Sequence, residues 1–114
     1  MIVKSGQYRE EHRVIAGGKG EIVLRHKFER EQLFGKSRLV AELTIHPGHS
    51  VGMHPHDPDA EIYYMLSGAL VSINPDGSEE PFLPGDTMLT GGGDSHGVRN
   101  DTDADAKMLA VVML

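Results

Sequence analysis

Glycine and proline divide this chain into short segments, and that spacing constrains its fold more than any other feature. The 114 residues include 14 glycines and 6 prolines, and the runs between them are rich in Val, Ile, Leu, Thr and Tyr. Short runs of this composition, bounded by turn residues, are typical of an all-β sandwich or barrel. No segment has the sustained 3.6-residue periodicity of a core helix. The sequence therefore predicts an all-β fold.

Nine strands are predicted from these runs, and residues 28–34 are expected to form at most one helical turn. Residues 9–14 are interpreted as a short irregular arm. A single barrel is expected to span residues 1–114, with residues 1–13 as a candidate N-terminal arm. The predicted strands are residues 21–28, 38–46, 52–56, 61–67, 69–74, 81–82, 86–89, 96–100 and 107–113.

The composition argues against several classes of partner. Because 17 acidic residues outnumber 11 basic ones, the concentrated positive charge that nucleic acid requires is missing, and no nucleic-acid partner is expected. No run approaches the roughly 20 apolar residues of a membrane span, and the N-terminus lacks the apolar core of a signal peptide. We therefore expect a cytoplasmic location and no membrane partner. Since cysteine is absent, any metal has to be bound by nitrogen and oxygen atoms.

Four of the seven histidines lie within eleven residues of one another: His46, His49, His54 and His56. His54 and His56 are two residues apart, so on an extended strand both imidazoles project from the same face and can reach one ion. His46 and His49 flank a Pro-Gly turn and are interpreted as turn or rim residues. The His-x-His pair alone is also compatible with a merely polar strand face.

Two further residues complete a candidate metal site. Glu61 follows the turn residues 57–59, which reset the alternation of the strand and allow the carboxylate to rejoin the histidine pair. His96 begins a strand directly after the glycine-rich loop 91–95. The flexibility of three consecutive glycines predicts a loosely held loop at that point. The predicted ligands are His54, His56, Glu61 and His96.

Two motifs that span residues 48–100 resemble those of the cupin superfamily. The first motif of that family is a glycine, a His-x-His pair, a glutamate and a second glycine; the second is a glycine, Pro-x-Gly, a histidine and an asparagine. The first stands here, at the family's spacing, as Gly48, His54, His56, Glu61 and Gly68. The second stands as Gly85, Gly93, His96 and Asn100, with Gly91 in the position of the proline.

The resemblance implies a double-stranded β-helix, which is the jelly-roll-like cupin barrel, with one divalent metal on the four motif residues. Imidazole and carboxylate ligands suit Mn, Fe, Co, Ni, Cu or Zn, and the sequence leaves this choice open. A homodimer is also expected, because pairing removes the liability of an exposed edge strand.

The leading functional hypothesis is a metal-dependent enzyme that acts on a small carboxylate, a keto or hydroxy compound, or a sugar derivative. The resemblance implies a dioxygenase, decarboxylase or isomerase. Tyr63 shares a strand face with Glu61 and is the candidate catalytic hydroxyl, although the same position suits simple packing inside a small barrel. The alternative function is a non-catalytic barrel that binds or senses a small ligand or a metal.

Overall fold

The computed structural model describes all 114 residues of the protein. Its two short helices are both of the 3-10 type and comprise Ser5–Gln7 and Arg30–Leu33. No helix has the length and apolar character needed to cross a bilayer. The ten strands are β1 Arg9–Arg13, β2 Ile22–Phe28, β3 Ser37–Ile45, β4 Ser50–Pro55, β5 Ala60–Ser67, β6 Leu70–Ile73, β7 Glu79–Phe82, β8 Thr87–Thr90, β9 Ser95–Arg99 and β10 Ala106–Met113.

These strands form two antiparallel sheets that face each other. The larger sheet has the order β1-β2-β3-β10-β5-β8, and the smaller one has the order β4-β9-β6-β7. From β3 to β6 each successive strand lies in the other sheet. Strand β9 then lies between β4 and β6, and β10 lies between β3 and β5. This path is consistent with a double-stranded β-helix, and it confirms the all-β prediction.

The hydrophobic core lies between the sheets and follows from the two-residue alternation of the strands. On β3 and β10 every second residue is buried and the residues between them are half-buried or exposed, except that Thr44 near the end of β3 is also buried. Each large aliphatic side chain buried in this way contributes about 1.5–3 kcal/mol to stability. The inward-facing residues of these two strands are Leu39, Ala41, Leu43, Ile45, Ala106, Met108, Ala110 and Val112.

All nine predicted strands are present, with ends displaced by no more than two residues, and the predicted helical turn is Arg30–Leu33. The interpretation of residues 9–14 as an irregular arm is wrong, because Arg9–Arg13 forms β1 and pairs with β2. This segment has no apolar residue, so local alternation could not reveal it. Its polar contacts, such as that between Glu11 and His26 at 2.8 Å, join residues distant in sequence.

Candidate metal centre

The four predicted ligands come together at one end of the barrel, from both sheets. His54 on β4 lies directly opposite His96 on β9 in the smaller sheet. His56 follows the end of β4, and Glu61 reaches the same point from β5 of the larger sheet. The turn formed by residues 57–59 carries the chain from one sheet to the other. The fold therefore brings three residues that are close in sequence and one distant histidine into a single cluster.

The glycine-rich loop before His96 is tied to the His56 backbone. The amide of Gly93 donates to the carbonyl of His56 at 2.9 Å, and the amide of His56 donates to the carbonyl of Asp94 at 3.1 Å. Gly92 and Gly93 have φ values of 65° and 89°, which glycine adopts without strain. The loop is thus hydrogen-bonded to the His56 backbone on both sides of its turn, and its mobility without metal stays a prediction.

The ligand atoms have the separations that a metal site requires. The Nε2 atom of His96 lies 3.0 Å from that of His54 and 3.1 Å from that of His56. The Oε1 atom of Glu61 lies 3.1 Å from His56 Nε2, 3.0 Å from His96 Nε2 and 4.0 Å from His54 Nε2. Ligands at about 2.0–2.2 Å from one ion are roughly 3.0–3.5 Å from their neighbours and about 4.2 Å from an opposite ligand. The observed distances fit that pattern.

Each imidazole is oriented by a contact at its other ring nitrogen. His54 Nδ1 contacts the Gly52 carbonyl at 2.8 Å, and His56 Nδ1 contacts the Asp59 carboxylate at 3.0 Å. His96 Nδ1 contacts the Thr90 hydroxyl at 2.9 Å. The carbonyl and the carboxylate can only accept, so His54 and His56 donate from Nδ1 and turn their Nε2 lone pairs toward the cluster.

The donor set of this cluster suits a cation. With Nδ1 protonated, the Nε2 atoms of His54 and His56 are acceptors, and they converge with the Nε2 atom of His96 and a carboxylate oxygen of Glu61. His56, Glu61 and His96 are buried, while the side chain of His54 is 22% exposed. Burial lowers the pKa of His54, partly opposed by its hydrogen bond to Gly52, and this direction favours the neutral imidazole that can bind a metal. The cluster indicates a metal site.

Tyr63 lies beside the cluster rather than within it. Its ring is 2% exposed and stacks on that of His96, with centroids 4.7 Å apart and planes 11° from parallel. Burial, and after it the charge of Glu61, raises the pKa of Tyr63 well above its ordinary value, so the hydroxyl stays protonated. The ring packs in the barrel and supports His96, and a role for the hydroxyl toward substrate stays a prediction.

The remaining residues singled out in the sequence lie outside the cluster. His46 contacts Asp105 at 2.8 Å, and His49 contacts the carbonyl of Glu21 at 3.0 Å. Arg99, three residues after His96, pairs with Glu79 and Asp101 on the surface. The contacts of His46 and His49, which flank the Pro-Gly turn, are therefore structural and do not involve the cluster.

Sequence reasoning missed the residues that orient the ligands. Asp59 carried a signal, because it lies three residues after His56 in a tight turn. Thr90 carried none, since its contact with His96 depends on how β8 and β9 are placed in opposite sheets. A cavity of about 110 Å³ adjoins the contact between Thr90 and His96, and both residues line it.

The fold is an antiparallel β-barrel that gathers three imidazoles and one carboxylate, a group that could hold a metal ion. The model of the cupin domain matches residues 41–112, and the chain belongs to the cupin family. Over its full length it is 37% identical to an oxalate-binding protein of Thermotoga maritima, of which the match covers 94%.

Solved structures agree with this assignment. The chain superimposes with a TM-score of 0.93 on a Thermotoga maritima protein described as a predicted oxalate decarboxylase; the two are 37% identical, and the match covers 100% of this chain and 99% of that one. A polyketide cyclase from Streptomyces resistomycificus has a TM-score of 0.82 and 24% identity, with 99% of this chain and 78% of the cyclase covered. That second likeness shows the fold alone.

Proposed function

We propose that this protein binds a small bidentate carboxylate, with oxalate as the simplest case, at a divalent transition metal held by His54, His56, Glu61 and His96. The observation that carries the proposal is the convergence of these four ligand atoms within 4.8 Å of one another. Three neutral imidazoles and one carboxylate leave a divalent ion with a net charge of about +1, which favours an anionic oxygen ligand. The name of the oxalate-binding relative supports this ligand class.

The chain's own residues define how such a ligand would approach. His56, Glu61 and His96 are buried, whereas His54 is the partly exposed member of the set, so entry is expected beside His54. When bound, a divalent transition metal supplies a Lewis acid with coordination positions left open for oxygen atoms. Mn, Fe, Co, Ni, Cu and Zn all suit the donor set.

Calorimetric titration of oxalate tests this proposal. Protein loaded with Mn²⁺ is expected to bind oxalate saturably, with about one site per chain, and metal-stripped protein is expected to release no binding heat. Acetate, which offers only one carboxylate, is the matched control and is expected to bind at least roughly tenfold more weakly. Equal binding of oxalate with and without metal would contradict the proposal.

Turnover of the bound carboxylate is a second candidate function, supported by the likeness to the protein described as a predicted oxalate decarboxylase. Binding alone is favoured because the polar groups beside the cluster are already engaged: Thr90 contacts His96, and Asp59 contacts His56 and Arg38. Decarboxylation would consume one proton and convert oxalate into formate and carbon dioxide. Formate released by the wild type and lost in Tyr63→Phe would assign turnover and a role to that hydroxyl. Dioxygenase and isomerase activities also stay predictions, and activity assays with other substrates would test them.

A homodimer stays a prediction, and the outer face of the larger sheet, rather than an edge strand, offers a surface for it. This face carries one apolar row across four strands, because Val111 pairs with Val40 and Ile62, and Ile62 pairs with Leu89. Leu89 is 71% exposed, and an apolar row of this kind is complementary to its own two-fold copy. Sedimentation is expected to give a dimer for the wild type and a monomer for Leu89→Asp. A monomeric wild type would contradict the predicted dimer.

Cytoplasmic location and the absence of nucleic-acid and membrane partners also stay predictions.

A further inference from the structure

Asp59 joins a buried metal-site histidine to an arginine on the protein surface. Its Oδ1 atom lies 3.0 Å from His56 Nδ1, and its Oδ2 atom accepts from Arg38 Nη2 at 2.8 Å. Each partner therefore uses a different oxygen of the same carboxylate. Because the Arg38 contact fixes one oxygen, it also fixes the direction in which the other oxygen faces His56.

Asp59 and Arg38 are associated with different strands of the larger sheet. Asp59 ends the turn before β5, and its side chain is 15% exposed; Arg38 lies at the start of β3, and its side chain is 44% exposed. Strand β10 lies between β3 and β5, so the ion pair spans a strand. The arginine thereby anchors the turn that follows His56 to the sheet framework.

His56 differs in this respect from the other two histidines of the cluster. The Nδ1 atom of His54 faces a backbone carbonyl, and that of His96 faces a hydroxyl, both of them neutral. Only His56 has a carboxylate at this position. A carboxylate that accepts from a ligand histidine fixes its tautomer and increases its basicity toward the metal.

We propose that Arg38 is a positioning residue for the metal site, acting through Asp59 to hold His56 in its Nδ1-protonated form and to strengthen its bond to the metal. This inference rests on the proposed function, since it assigns the residues that set the affinity of that same site. Arg38 itself is too far removed along this chain of contacts to touch the ion or its ligand.

Metal affinity, measured by competition with a chromogenic chelator, tests the order of action. Asp59→Asn is expected to weaken binding by about 10-fold to 100-fold, the range found for such outer partners, and Arg38→Met by roughly threefold to tenfold. The double variant is expected to match Asp59→Asn, because Arg38 acts through Asp59. Arg38→Lys keeps the charge and is expected to recover part of the loss. The matched control is Arg99→Met, which removes a surface ion pair away from the cluster and is expected to leave affinity unchanged.

The tautomer of His56 gives a readout that needs no metal. Long-range ¹H–¹⁵N spectra of the metal-free protein, recorded at about pH 8 where imidazole is neutral, are expected to show the Nδ1-protonated form in the wild type. Arg38→Met and Asp59→Asn are expected to show a mixture of tautomers. An unchanged tautomer and unchanged affinity in Arg38→Met would overturn the inference, whatever Asp59→Asn shows. A wild type that binds no metal would instead contradict the proposed function, and the spectra would still decide the role of Arg38.

Discussion

Replacing His56 with alanine is expected to lower the affinity of the protein for a divalent transition metal by about 100-fold to 1000-fold. Four-ligand structural zinc sites bind with about 10–16 kcal/mol, or roughly 2.5–4 kcal/mol per ligand, which corresponds to that range. His56 is also the ligand with the strongest outer partner, because its Nδ1 atom faces the carboxylate of Asp59. Competition with a chelator of known affinity measures the change.

His46→Ala is the matched control for this variant. His46 belongs to the same cluster in the sequence, yet its imidazole contacts Asp105 outside the metal site. Its removal is expected to change metal affinity by less than about twofold, in keeping with a surface substitution. Comparable losses in the two variants would show that the ion is bound nonspecifically by histidine-rich surface, contrary to the geometry described above.

Asn100→Ala is expected to lower the free energy of unfolding by about 3–5 kcal/mol, because several hydrogen bonds of a buried side chain are lost together. Asn100 is 1% exposed. Its Nδ2 atom donates to the carbonyls of Ile45 and Ala104, both at 2.8 Å, and its Oδ1 atom accepts from the amide and the hydroxyl of Thr102. Urea unfolding, followed by circular dichroism, measures the loss.

Two comparisons separate this effect from a general effect of the substitution. Asn100→Asp keeps the acceptor for Thr102 but places a carboxylate against two carbonyl oxygens, so it is expected to be at least as destabilising as alanine. Asn74→Ala removes a single exposed hydrogen bond to Ser78 and is expected to cost less than about 1 kcal/mol. An unfolding midpoint of Asn100→Ala equal to that of Asn74→Ala would refute the structural role assigned to Asn100.

The strands and the four clustered residues were accessible from the sequence because they depend on local patterns. Alternation on β3 and β10 follows directly from their apolar residues, and the His-x-His spacing places His54 and His56 on one face. Glu61 is predictable because the turn at residues 57–59 restores its orientation toward the histidine pair. His96 was supported by its position after a loop and by the cupin motif.

Contacts that depend on pairing between distant strands could not be predicted from local sequence patterns. Strand β1 is polar throughout, so only its ladder with β2 defines it. The contact between Thr90 and His96 joins residues of opposite sheets. The pairing of Arg38 with Asp59 bridges 21 positions of the sequence. In each case the tertiary arrangement, and not a local pattern, selects the partner.

Elemental mass spectrometry of the untagged wild-type protein, loaded with metal and then desalted, tests whether the four-residue cluster binds a metal ion. About one equivalent of a divalent transition metal per chain is expected, because the cluster provides one set of three imidazoles and one carboxylate. In a second sample that has not been loaded, the identity of the ion retained from cells would direct the choice between redox and Lewis-acid assays. Protein that retains no metal even after loading would contradict the metal centre and the carboxylate binding proposed for it.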